Sequence, residues 1–463
     1  MMYPRLKLAR NLLTDDGVIF ISIDDNEQEN LKKICNEIFG SNNYRNTILV
    51  RRRIKSLNSQ FSDRGLYSMN IGFEYILIYS KSSEFFMEAL KQKKENASSK
   101  GRWDVFWSNA DRPSMRYELL GFTPLTGQWR NSKEKAELAV ENYKNFEANF
   151  SKIMTIEKYS EETGIRNFIR RIPNATGKNG GVQHWIAPSE TMLRTSNWTD
   201  LEVSQIGKEI ELPFENPKNK ALIIEIIKLK ELKKNDIILD FFSGSSTTAH
   251  SVMQLNSEDG GNRKYIMVQL PEVCDEKSEA YKAGYKNICE IGKERIRRAG
   301  ELIKEEIEKE NSQLKLGEEP KKVPDIGFKV FKLDSSNIKE WDSETEDLKQ
   351  SLFDSIDNIK SDRTSLDILY EILLKYGLDL NVPIIENDKF YSIGGGTLLI
   401  NLDKEIDMEV IDSICEEYKN LLEIDEDFKT MVVLRDSAFK NDVDKTNAMK
   451  KLEQVGIKEV RSI

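Results

Sequence analysis

Residues 237–256, IILDFFSGSSTTAHSVMQLN, pass from an apolar β-branched stretch through a turn of small residues into a segment with helical spacing. A short apolar run closed by a tight turn and followed by a helix is the repeating unit of an α/β sheet, because the helix covers the strand it leaves. The loop at the carboxyl end of such a strand is where open sheets place their ligands. Two familiar loops are excluded by residue type: the dinucleotide loop needs G-x-G-x-x-G and the phosphate loop needs G-x-x-x-x-G-K-[ST]. Here Gly244 stands alone and no Lys follows it. The hydroxyls of Ser243, Ser245, Thr247 and Thr248 suit a ligand that is not a polyphosphate. Asp240, near the strand end, can meet a cationic group or backbone donors. Gly244 allows close backbone approach, and the first N–H groups of the helix can bind a carboxylate or hydroxyl. An ordinary βα turn with a Ser/Thr cap accounts for the same residues taken alone.

The pattern recurs elsewhere. Residues 3–14 have helical spacing, 15–25 (DDGVIFISIDD) read as a turn and a strand, and 26–40 as an amphipathic helix with Leu31, Ile34, Cys35, Ile38 and Phe39 on one face. FEYILIYSK (73–81) is a second buried strand. From 84 to 205 the pattern breaks into Lys-rich helical pieces and aromatic, Arg-bearing loops, which read as an inserted irregular module. A helix over 217–234, strand 237–242, helix 247–256 and strand 264–270 resume the sheet, and a charged helix is expected over 276–313. A Lys/Glu/Gly linker at 314–325 leads to a separate α/β domain with helices at 343–360 and 364–377 and a hairpin at 389–402. GGG at 394–396 is better read as the hairpin's turn than as a phosphate loop.

Charge divides the chain. Residues 301–463 hold 38 Asp/Glu and 23 Lys/Arg, a net of −15, so residues 1–300 carry +6 of the total −9. A basic front suits nucleic acid and an acidic back suits protein contacts, although differing solvated faces give the same numbers. No window reaches the length of a membrane span, and the N-terminus lacks a signal-peptide core, so cytoplasm is the expected location. Four scattered cysteines, without a C-x-x-C pair, and His184 and His250 make a metal site unexpected.

The segment LPFENPKNKALIIEIIKLKELKKNDIILDFFSGSSTTAH resembles the adjoining motifs of amino-methyltransferases that use S-adenosylmethionine. Phe214, Pro217, Lys218 and Leu222 match F-x-x-P-K-x-x-x-L. Asp240, Phe242, Gly244, Ser245, Thr247 and Thr248 match D-x-F-x-G-S-G-T-T, with Ser246 at its second Gly. Gln269, which closes YIMVQL, stands where the family has an acidic ligand for the ribose hydroxyls. The resemblance implies that Lys218, Asp240, Phe242, Ser243, Gly244, Ser245, Thr247, Thr248 and Gln269 hold the methyl donor. Beyond these motifs, MYPRLKLARNLLTDDGVIFISIDDNEQENLKKICNEIFG, GFEYILIYSK, GGNRKYIMVQLPE and DIGFKVFKLDSSNIKEWD resemble the modification subunit of type III restriction–modification systems. Phe73 departs from the His found there in many relatives.

That resemblance implies a Rossmann-like methyltransferase fold of the α/β class. Its expected parts are a first core segment (1–83), a target-recognition module (84–205), the donor-binding part with its long helix (206–313) and a C-terminal subunit-interaction domain (314–463). It implies adenine-N6 methylation of double-stranded DNA with the base flipped out, a second modification subunit in a homodimer, and a restriction subunit with helicase and nuclease activity. The family's catalytic D/N-P-P-Y/W tetrapeptide precedes the donor motif, but the eleven prolines here include no Pro-Pro pair. The chemistry needs acceptors that orient a weakly nucleophilic amino group. The expectation is therefore an N-terminally truncated subunit that alone binds weakly at best and does not methylate. A non-catalytic recognition or assembly subunit beside a separate N-terminal half, and a methyltransferase with another substrate, are the alternatives.

DNA contacts are expected from Arg51, Arg52, Arg53 and Lys55 as a phosphate strip, and from Trp129, Arg130, Arg166, Arg170 and Arg171 in the module. A solvated basic surface over core tryptophans is the competing reading. The apolar faces on the acidic helices of the last domain suit subunit docking and core packing equally.

Overall fold

The computed structural model describes residues 2–52, 69, 71–94, 100–204, 210–214, 216–315, 317–339 and 359–463. Two compact units result, Met1–Gly327 and Phe328–Ile463. The chain is mixed α/β throughout. Arg53, Lys55 and the helix expected over 343–360 lie outside the described residues, apart from the last two positions of that helix.

The first unit opens with α1 (Met2–Leu12), β1 (Val18–Ile23), α2 (Gln28–Phe39), β2 (Tyr44–Arg51) and β3 (Phe73–Ser80). The amphipathic reading of α2 holds: Leu31, Cys35 and Phe39, spaced one helical turn apart, are buried, and Gly40 ends the helix at a φ of 90°. β3 lies centrally, antiparallel to both β1 and β2. Leu77 and Tyr79 of β3 pack with α1 and α2, while Ile76 and Ile78 face the opposite cluster. This is the two-sided burial that an apolar strand without polar alternation requires.

The central region contains β4 (Lys91–Lys93), β5 (Arg102–Val105), β6 (Trp107–Ser108), β7 (Gln128–Trp129), α3 (Lys133–Asn149), α4 (Ile156–Thr163), β8 (Ile169–Arg171), β9 (Val182–Ile186), β10 (Thr191–Leu193) and β11 (Asn197–Glu202). Its strands form small sheets, β5-β9-β8, β6-β7 and β10-β4. Aromatic rings make the core: Phe106 stacks on Trp129 at 5.6 Å, and Phe168 meets Trp185 edge-on at 5.5 Å. The region ends by returning to the first sheet. β11 pairs parallel with β2, giving the order β1-β3-β2-β11, and buries Trp198 in that sheet's core.

Next come α5 (Lys220–Ile227), β12 (Ile237–Asp240), α6 (Thr247–Asp259), β13 (Lys264–Met267), α7 (Glu279–Lys282) and α8 (Ile288–Ser312). β12 and β13 are parallel neighbours joined through α6. The single helix expected over 276–313 is two. Gly284, at a φ of 96°, breaks it, and Asn287 caps α8 by accepting the Glu290 N–H. Likewise the helix expected over 217–234 is only α5, started by the Asn219 side chain accepting from Ala221 N–H.

The second unit holds α9 (Ser365–Lys375), β14 (Ile384–Glu386), β15 (Tyr391–Ile393), β16 (Leu398–Asn401), α10 (Met408–Ile424), β17 (Met431–Leu434), α11 (Asp442–Gln454) and β18 (Glu459–Ser462). Its sheet runs β14-β15-β16-β17-β18. α9 packs on one face through Leu369 and Leu373, and α10 and α11 on the other through Ile411, Ile414 and Leu452. Gly394, Gly395 and Gly396 form the β15–β16 turn with φ of 61°, 67° and 91°. Only glycine takes three such values at little cost.

Candidate functional site

β12 delivers Asp240 to the start of the FSGSSTT loop, and the loop folds back on that carboxylate. Asp240 Oδ1 accepts from the Phe242 N–H at 3.2 Å and Oδ2 from the Thr248 hydroxyl at 2.6 Å. One acidic side chain thus ties the strand end to the first turn of α6. The turn is closed by the Ser246 N–H donating to Ser243 C=O at 2.7 Å. Ser246 adopts the left-handed region, φ 60° and ψ 37°, and its side chain makes no cap.

Gly244 is the point of close approach. Its φ is 50°, and its N–H donates to Gln269 Oε1 at 2.8 Å. The Gln269 amide nitrogen donates to Leu270 C=O at 3.2 Å, so both ends of this side chain brace the loop. Phe214 lies 3.6 Å from where a Cβ on Gly244 would stand. α8 closes the loop from behind: a Cβ on Gly292 would lie 2.7 Å from Ser246 Oγ, and Arg295 donates to Ser245 Oγ at 3.3 Å.

The two sequence motifs meet here. Thr247 donates its hydroxyl to Lys218 C=O at 3.4 Å, and Ser251 reaches Lys220 C=O at the same distance. The Lys218 ammonium turns to Glu74 Oε2 at 3.2 Å, which brings the start of β3 to the site. Ser243, Ser245 and Thr247 are buried, whereas the Phe242 ring is 56% exposed beside the loop. Behind it His250 is buried and its Nδ1 has no hydrogen-bond partner. Burial, with Lys220 and Arg295 nearby, lowers its pKa to about 3. Among the described residues no His/Cys/Asp/Glu group could hold a metal.

Glu74, Gly292 and Arg295 escaped the sequence reading. Glu74 sits in an apolar strand pattern and Gly292 in a charged helix, so neither carried a motif signal. Arg295 lies in a basic run that reads equally well as solvated surface.

The residues expected to touch DNA are more divided. Arg51 pairs with Glu202 at 2.7 Å, and Arg52 lies 3.9 Å from Glu74. Arg52 therefore shares a carboxylate with Lys218. Trp129 does not reach the surface: it is fully buried, stacked on Phe106, and donates its indole N–H to Tyr117 C=O at 2.8 Å. Both residues of β7, Gln128 and Trp129, are buried, and the chain brings Arg130 to the surface just past the strand. Arg130 and Arg166 are exposed. Arg170 lies over the Trp103 ring at 4.0 Å and donates twice to Gln183 Oε1 at 3.1 Å. Arg171 clasps two loops by donating to Gly180 C=O at 2.8 Å and Leu120 C=O at 2.7 Å.

The DNA methylase family model for N6 and N4 enzymes matches residues 1–301. The StyLTI Mod subunit, a type III restriction-modification enzyme of Salmonella typhimurium, is 34% identical over 342 residues, which cover 72% of this chain and 47% of that one. The EcoPI Mod subunit of Escherichia phage P1 is 30% identical over 356 residues, covering 68% and 51%. The type II methyltransferase M.KpnI of Klebsiella pneumoniae is 31% identical over 310 residues, covering 63% and 71%. The chain thus spans about half the length of the two Mod subunits. Its match to the family model runs through the loop and the helices packed on it, and the chain belongs to the N6/N4 DNA methylase family.

Proposed function

We propose that the loop between β12 and α6 binds S-adenosylmethionine and that the chain supplies the donor and DNA-recognition parts of a type III adenine-N6 DNA methyltransferase. The observation that carries this reading is the convergence of Lys218, Asp240, Gly244, Thr247 and Gln269 on one loop, although Lys218 is 29 residues from Thr247 in sequence. The loop presents the elements a methyl donor needs. The first N–H groups of α6 face the donor's carboxylate. Gly244 lets the backbone approach, and Phe242 offers an exposed ring for stacking. Gln269 lies at the loop to meet the ribose hydroxyls, exchanging its bond to Gly244 for them. S-adenosylmethionine supplies the activated methyl group, and these residues bind and orient it.

In this reading the core is Rossmann-like, the central region is an inserted recognition module, and the acidic second unit meets the other subunits. The working assembly is cytoplasmic and includes duplex DNA, a second modification subunit and a restriction subunit. The acceptor tetrapeptide is absent from the 463 residues, so turnover needs a polypeptide that provides it. Labelled methyl transfer to duplex DNA tests this: none is expected from the chain alone, and turnover by the chain alone would refute it. The same absence favours a second reading, a recognition subunit that binds DNA without contributing chemistry. In that case no added polypeptide restores transfer.

A further inference from the structure

β2 ends on Arg51 and Arg52 follows it, and both are met by carboxylates from neighbouring strands. Arg51 pairs with Glu202 of β11 at 2.7 Å. Arg52 Nε stands 3.9 Å from Oε1 of Glu74 in β3. Backbone bonds fix these meetings. Val50 lies opposite Glu74 in the β2–β3 register, and Arg52 N–H donates to Gly72 C=O at 2.9 Å. On the other side Val203 N–H donates to Arg51 C=O, and Asn219 N–H donates to Val203 C=O, each at 3.0 Å. Residue 218 is thereby brought to the same corner, where Lys218 Nζ lies 3.2 Å from Glu74 Oε2.

Two cations thus converge on the two oxygens of one carboxylate, one from the arginine strip and one from the donor motif. An oxyanion between a guanidinium and an ammonium is also the arrangement that binds a phosphate. The two contacts of Glu74 are unequal: Lys218 is within hydrogen-bond reach and Arg52 is beyond it. The Glu74 side chain is 20% exposed against 48% for Arg52, so the arginine lies outermost. Ion pairs with a partner this exposed are weak, and an incoming phosphate can take the place of the carboxylate. Lys218 has a second tie, since its C=O accepts from the Thr247 hydroxyl at the start of α6. An anion bonded to Lys218 Nζ is therefore one residue away from the loop proposed to hold the donor.

We propose that Arg52 and Lys218 form a seat for one backbone phosphate of duplex DNA, and that Glu74 fills this seat in the DNA-free chain. The seat rests on the DNA reading of Arg52 and adds to it the group bound and the residue that stands in for it. Phosphate contacts carry no sequence information, but they set the register and orientation of a duplex on a protein. A seat joined to α6 through Lys218 holds the duplex in register with the donor loop. Glu74 also lowers sequence-independent affinity. DNA must displace an anion already in place, and it releases fewer counterions in doing so.

Anisotropy of a labelled duplex of arbitrary sequence, titrated with the full chain across a salt series, tests the seat. Glu74→Gln keeps the shape of the side chain and an acceptor for Lys218 but removes the charge. It is expected to bind roughly eightfold more tightly at about 0.1 M salt, and to steepen the dependence of log affinity on log salt by about 0.9. Adding Arg52→Ala to this variant is expected to return both values to those of the natural chain. Glu231→Gln, at an exposed position outside the corner, is expected to change affinity less than about twofold. Should parallel melts show Glu74→Gln to be unfolded, Arg52→Glu at the surface carries the test. Its affinity is then expected to fall about tenfold, and no fall would overturn the seat. Salt-dependent binding that Glu74→Gln leaves unchanged, raises no more than Glu231→Gln does, or raises equally without Arg52 would also overturn it, leaving the DNA reading in place. No salt-dependent binding by any of these proteins would remove both.

Discussion

Thr248 donates its hydroxyl hydrogen to Asp240 Oδ2 at 2.6 Å, across the turn that separates β12 from α6. The carboxylate is therefore a structural tie as well as part of the proposed donor site. Asp240→Ala strands this hydroxyl and the Phe242 N–H, and hydrogen bonds to a charged group are worth about 1.5–3 kcal/mol each. The expected result is a loss of about 3 kcal/mol or more in denaturant unfolding, accompanied by loss of donor binding. Thr248→Val removes one such bond and is expected to cost about 1.5–3 kcal/mol.

Ser246 occupies a left-handed conformation at φ 60°, where a residue with a Cβ is strained by about 1–2 kcal/mol. Ser246→Gly is expected to raise stability by about 1 kcal/mol, read from the unfolding midpoint. Gly292→Ala puts a methyl group 2.7 Å from Ser246 Oγ and 3.2 Å from Gly244 C=O, and is expected to cost about 1–3 kcal/mol. Removing the Ser246 side chain removes the nearer clash. The double variant is therefore expected to be more stable than the sum of the singles, a coupling that a double-mutant cycle measures.

His250 gives the fold a pH dependence. Burial, with Lys220 and Arg295 adding positive charge, depresses its pKa from 6.5 to about 3. The unfolded chain then binds a proton between these values that the folded chain refuses, so the stability is fully present above pH 6.5 and lost as pH falls toward 3. The slope from this group reaches about 1.4 kcal/mol per pH unit at most. Unfolding measured at pH 7, 6 and 5 is expected to show a steeper decline for the natural chain than for His250→Gln.

What was legible in the sequence was local. The strand–turn–helix at 237–256, the buried face of α2 and the glycine turn at 394–396 follow from spacing and residue type alone. Contacts made across the chain were not. Lys218 and Glu74 are 144 residues apart, and nothing near either one marks the other as its partner. Trp129 and Arg130 read together as a binding pair because their adjacency does not say that the ring is packed in an aromatic core while the guanidinium leaves the strand. The helix break at Gly284 was masked by charged residues that favour helix on both sides. β11 was hidden for a related reason: only pairing with β2 makes a polar, irregular segment part of the first sheet.

The arginines of the central region divide by their partners, and that division is testable in the DNA reading. Arg166 is exposed, whereas Arg130 donates its Nε–H to Val105 C=O at 3.0 Å and Arg171 holds Gly180 and Leu120. Arg166→Ala is expected to reduce the dependence of log affinity on log salt by about 0.9 without changing the melting temperature. Arg171→Ala is expected to lower the melting temperature. Fluorescence anisotropy on a labelled duplex across a salt series, with melts in parallel, distinguishes the two groups.

Calorimetric titration of S-adenosylmethionine into the full 463-residue chain and its Asp240→Ala variant tests the donor site most directly. The account predicts saturable one-to-one binding by the natural chain, weakened at least tenfold in the variant. Absence of saturable binding, or equal binding by both proteins, would contradict it.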